Sequence, residues 1–116
     1  MAPPRSVSFG DQVVRALQTK NLASIELAPG ARDRIVRTLD DPNDPITRAI
    51  ASYGGVTQGR RDGERALVRF ANLPDACVAV VVMRLHASGN QVDGVEIRSR
   101  DSYEAFGSLD EGTGGM

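Results

Sequence analysis

A chain of 116 residues, 41% hydrophobic and 25% charged, has the length of one domain and the composition of a folded one, which excludes global disorder. Fourteen basic residues against fifteen acidic leave a net charge of -1, so no field favours nucleic acid or an anionic membrane as partner. One cysteine and one histidine exclude an intramolecular disulfide and a paired-cysteine zinc cage.

Residues 1–7 carry two prolines and no periodicity and read as a flexible leader. They lack the apolar stretch of a secretory signal, and the longest apolar run, residues 76–83, is too short to cross a bilayer. As it stands the chain is expected to be cytoplasmic; an exported domain with its signal removed would read the same way. Ser8-Phe9-Gly10-Asp11 has the spacing of a capping box, so a first helix is expected from there to a stop at Asn21. Phe9, Val13, Val14, Ala16 and Leu17 form its apolar stripe. After a link holding Ile25 and Leu27, Pro29-Gly30 opens a second amphipathic helix with Ala31, Ile35, Val36 and Leu39 on one face. Asp44 then caps a third helix with Pro45 at its first position, and Ile46, Ala49, Ile50 and Tyr53 recur at helical spacing before Gly54-Gly55.

From there the period changes to two. Strands over 56–61 and 64–70 flank Asp62-Gly63, a hairpin dipeptide. Residues 72–75 predict a second turn, and 76–87 a strand that is apolar on both faces from Val78 to Met83. Such a strand belongs in the middle of a sheet or at an interface. Ser88-Gly89-Asn90 predicts a third turn, and residues 95–100 alternate cleanly. Residues 101–116 read as an acidic, Gly-rich flexible tail. With no repeat and with helices preceding strands, the expectation is one α+β domain over residues 8–100, its N-terminal helices packed on one curved antiparallel sheet of about four strands.

This order, with the segment from Val13 to Asn21, the Ile50-Ala51-Ser52-Tyr53-Gly54-Gly55-Val56 junction and the closing hairpins, resembles the cone-shaped α+β fold of the nuclear-transport-factor-2-like superfamily. It looks most like the small bacterial members that are not obviously enzymes, over residues 8–100. The resemblance implies a sheet wrapped around the helices to leave a pocket, and pairing of copies through the outer sheet face. The chain departs from the superfamily in having no Trp and a shortened helical half. A cystatin-like fold is the structural alternative, but the Gln-x-Val-x-Gly loop is absent and Gln58-Gly59 has the wrong spacing.

Enzymes of the resembled superfamily place a carboxylate, with Tyr or Arg, inside the cone. The resemblance therefore points to Tyr53, Arg69, Arg84 and Glu96 as pocket residues; separately, His86 is the only histidine, so any histidine-based chemistry in such a pocket would depend on it. Each has a simpler account: Tyr53 completes a helix stripe, His86 ends a strand, and the rest fit a paired, solvated sheet face. Cys77 begins the apolar strand and reads as a small, inert hydrophobe, reactive only if exposed. Neither Gly54-Gly55 nor Gly114-Gly115 forms a phosphate cradle, so no cofactor is expected, and no catalytic or metal residue is assigned. The expectation is a non-catalytic binding or assembly domain, a homodimer or a module recruiting another protein through Val78, Val80 and Val82 on the sheet face or the opposite set Ala79, Val81 and Met83. The alternative is a small-molecule pocket protein or a small isomerase, lyase or hydrolase.

Overall fold

Helix α1, Arg5–Gln18, presents Val13, Val14 and Leu17 to the interior in a computed structural model that describes residues 5–55, 58–86 and 89–108. The helix already includes Arg5, ahead of the expected Ser8 cap, and Asp11 serves elsewhere: it accepts hydrogen bonds from Tyr53 Oη and from Arg15 Nε. At the other end Asn21 N donates to Ala16 O and Lys20 N to Leu17 O, with Lys20 at φ 57°. That is a Schellman stop with lysine where glycine is preferred. Gly10 allows α1 to approach the sheet closely, because a Cβ there would lie 2.7 Å from Val68 Cγ1.

Helix α2, Ala31–Leu39, buries Ala31 and Ile35, while helix α3, Pro45–Ala51, buries Ile46, Ala49 and Ile50. The predicted cap of α3 holds: Asp44 Oδ1 accepts from Ile46 N at 2.8 Å, with Pro45 at the first position. Gln18 Nε2 donates to Ile50 O at 2.9 Å and to Tyr53 O at 3.1 Å, fastening the end of α3 to α1.

Four long antiparallel strands follow, β1 Gln58–Asp62, β2 Arg65–Leu73, β3 Cys77–His86 and β4 Gly89–Ser99. The α+β expectation is met. Both turns that can be compared shift toward the C-terminus. Asp62 pairs with Arg65, leaving Gly63 (φ 63°) at the first loop position, and Leu73 pairs with Cys77, leaving a turn at 74–76 with Asp75 and Ala76 at positive φ. Residues 87–88, between β3 and β4, lie outside the described residues, and Gly89, read as a turn residue, already pairs with His86 on β4. The link after α1 also lies against the sheet: Val92 N donates to Glu26 O and Ala28 N to Val92 O, 2.8 Å each.

Residues 101–108 of the segment read as a tail are structured. Helix α4, Arg100–Glu104, is capped by Ser99 Oγ, and β5, Gly107–Ser108, pairs with Arg60 and Arg61 of β1. The sheet order is β4-β3-β2-β1-β5, so the chain leaves one edge at Ser99, crosses the outer face and joins the opposite edge. The Gly-rich end, residues 109–116, lies outside the described residues.

Two cores result. Between helices and sheet lie Val13, Val14, Leu17, Ile35, Ile50, Val68, Val81 and Met83. On the outer face Leu67, Val78, Val80 and Val82 lie under Tyr103, with Phe106 packed alongside. This corrects the expected interface: Val78, Val80 and Val82 are 0%, 0% and 4% exposed, because Tyr103 and its segment cover the strip that alternation left bare.

Candidate functional site

The structure divides the residues suggested as a pocket. Tyr53 lies on the helix side, where its hydroxyl donates to Asp11, its ring meets Phe70 edge-on at 6.1 Å, and the Arg15 guanidinium stands 5.7 Å from its centroid. Burial pushes the Tyr53 phenol well above its usual range, and the Asp11 carboxylate adds to the effect. Burial also acts to raise Asp11, but the bonds from Tyr53 and Arg15 together outweigh it and hold that carboxyl below the usual range. A phenol held protonated on a carboxylate is a clamp between α1 and the end of α3, not a proton donor poised near neutrality.

Arg69, Arg84 and Glu96 lie on the opposite face, each already engaged. Arg69 donates to Gln58 Oε1 and stands 5.8 Å from the Tyr103 centroid, with Arg60 also at 5.8 Å. Arg84 pairs with Asp93 at 3.5 Å, and Arg98 Nε donates to Glu96 Oε1 at 2.6 Å while its guanidinium lies 5.6 Å from the Phe106 ring. Tyr103 itself donates to Gln58 O at 2.9 Å; burial raises its phenol, an effect tempered by Arg69 and Arg60. His86 ends β3 opposite Gly89, and its side chain lies outside the described residues.

The pocket alternative predicts a buried ionisable side chain at the floor of a cavity. Here the space between helices and sheet is filled by apolar side chains, mostly aliphatic with the rings of Tyr53 and Phe70, and among the described residues none that is charged is buried. Among the described residues two open cavities stand out. One of about 290 Å³ forms a notch at the β4 edge, where Asp93 bulges and Gly94 leaves open space beside Val82; Arg34, Arg65 and Glu96 contribute to its walls. The other, of about 320 Å³, lies between α3 and the end of β2, bordered by Pro45, Ala49, Leu73 and Pro74.

What sequence reasoning missed is the edge. The outer side of β4 is occupied at Val92 by the 26–28 link and at Asp93 by Arg34 Nη2, which donates to its carbonyl at 2.9 Å. From Val95 to Ser99, among the described residues, no backbone group bonds outward. The direction of those groups follows from both ends of the ladder. Val92 bonds outward, and Arg100 N bonds inward to Ala76 O at 2.7 Å, so alternation directs the N–H and C=O of Val95, Ile97 and Ser99 away from β3. Among the described residues Ile97 is 42% exposed, the higher of the two exposed large hydrophobic residues, the other being Val36. The clean alternation of residues 95–100 signalled a strand in the sequence; that it would end as an uncovered edge depends on strand order, which local pattern does not encode.

No protein-family model, no curated protein and no solved structure matches this chain. Among the described residues no helix is long and apolar enough to cross a membrane.

Proposed function

We propose that this is a non-catalytic assembly domain that acts through protein–protein contact at the edge of its sheet, and that it forms a homodimer. The observation that carries the reading is the stretch of β4 from Val95 to Ser99, a row of unbonded backbone donors and acceptors beside a half-exposed Ile97. Exposed edges are templates for a further strand, and monomeric proteins generally blunt or cover them. The assembly surface therefore moves from the buried face of Val78, Val80 and Val82 to the neighbouring edge. Three helices preceding an antiparallel sheet also support keeping the nuclear-transport-factor-2-like likeness within this proposal.

Sedimentation from about 10 μM to about 1 mM tests it, a range suited to the small area that edge pairing buries. Self-association that rises with concentration is expected, and it should be lost in Ile97→Pro, which removes an outward N–H without touching the ladder to β3. Ile97→Lys serves as a second variant, with thermal unfolding as the check on folding. A wild-type chain that is monomeric throughout the range would end the proposal.

The edge notch favours a second reading, a site for a small polar ligand between Arg34, Arg65 and Glu96. A ligand that binds only the native state raises the unfolding midpoint, so a metabolite panel tests it. A flat response removes that reading.

A further inference from the structure

We infer that β4 pairs antiparallel with β4 of a second copy about a two-fold axis through Ile97, which joins the two sheets into one. This rests on the assembly reading above and adds its strand direction and register.

A two-fold interface brings one surface against itself, so any register must match its own reverse. Outward backbone groups must also meet outward groups, which restricts the axis to a few positions along Val95–Ser99. With the axis at Ile97, the Ile97 residues of the two copies exchange both backbone bonds, and Val95 faces Ser99 of the partner subunit. Glu96 then faces Arg98 of the partner subunit, and Arg98 faces Glu96 of the partner subunit. The existing Glu96–Arg98 bond within each chain becomes one side of a four-charge ring of alternating sign.

Neighbouring registers fail on charge. An axis at Glu96 sets two glutamates directly opposite, and an axis at Arg98 sets two arginines opposite; like charges at such positions destabilise a strand pair. An axis at Val95 drives Ile97 onto the bulged Asp93, which Arg34 already caps, and one at Ser99 runs into α4. On the other sheet face, the Ile97 side chains meet across the axis and bury the exposed aliphatic surface. Residues 100–108 do not obstruct this approach, because from Ser99 they cross toward β1, away from the edge.

The test is a charge exchange read by sedimentation, with thermal unfolding in parallel. Glu96→Arg and Arg98→Glu should each weaken self-association about tenfold or more, since each turns opposite-sign pairs into like-sign ones at two places. The double variant should return to within about threefold of wild type. In a Cys77→Ala background, Ile97→Cys should cross-link under mild oxidation, because antiparallel partners across such an axis place their Cα atoms within disulfide range, whereas Ser99→Cys should not. If wild type associates but the double variant stays as weak as the singles, or Ser99→Cys cross-links and Ile97→Cys does not, the register is wrong and the assembly reading stands. If wild type stays monomeric, both fall.

Discussion

On the inner face of the sheet three helices share the burial among many side chains, Val13, Val14, Leu17, Ile35, Ile46 and Ile50 among them. On the outer face one short segment covers Leu67, Val78, Val80 and Val82 with a single fully buried tyrosine and a flanking phenylalanine. Arg60 and Arg69 over the Tyr103 ring, and its hydroxyl on Gln58 O, hold that cover in place. Burial spread over many residues tolerates the loss of one. Burial that hangs on one side chain does not, so the second core is the place where a single substitution would change the surface of the molecule as well as its stability.

Tyr103→Ala is the sharpest way to break this contrast. Truncating a buried aromatic costs roughly 3–5 kcal/mol, and here it also frees the cover. We expect a large fall in the unfolding midpoint together with new binding of a hydrophobic dye, as Val78, Val80 and Val82 become accessible. Leu17→Ala on the helix face should lower the midpoint without the dye signal. Equal dye binding by the two variants would remove the distinction.

Gly10→Ala comes next. Helix propensity alone predicts a gain approaching 1 kcal/mol from replacing a helical glycine. The close approach to Val68 predicts the opposite, an overpacking cost of about 1–3 kcal/mol, measurable by denaturant titration. A stabilised variant would show that α1 can move off the sheet cheaply.

A smaller effect is expected from pH. The folded-state carboxyl of Asp11 is depressed, so its contribution is present above the unfolded value of about 4 and is lost as pH falls through the folded one. The stability gap between wild type and Asp11→Asn should therefore be full at neutral pH and close in acid. A gap constant with pH would mean that Tyr53 and Arg15 do not favour the ionised form. Smallest is Lys20→Gly: relief of the left-handed lysine, about 1–2 kcal/mol, outweighs the freedom glycine adds to the unfolded chain, about 0.4–1 kcal/mol, so a net gain of up to about 1 kcal/mol is expected in the same titration.

Much of the inner face was legible in the sequence because its signals are periodic or chemical. The Val13–Leu17 stripe, the Asp44-Pro45 cap and the Gly63 hairpin each carry a local cause that tertiary contacts did not override. The outer face was legible only by half. The two-sided apolar run of β3 indicated that Val78, Val80 and Val82 needed a cover, but a cover supplied by one tyrosine has no period to read. Tyr103 and Phe106 are two of the five Tyr and Phe residues in the chain, and their place in an otherwise acidic, small-residue segment was the available signal. The division of Tyr53 from Arg69, Arg84 and Glu96 was hidden for another reason: which face a helix end meets is decided by packing across the whole sheet.

The most direct test of the edge as an assembly surface is backbone amide hydrogen exchange, residue by residue, at about 10 μM and about 1 mM. Self-pairing of β4 predicts that the amides of Val95, Ile97 and Ser99 exchange freely in the dilute sample and become protected in the concentrated one, while Glu96 and Arg98, bonded toward β3, change far less. Exchange at Val95, Ile97 and Ser99 that is the same at both concentrations would contradict the account.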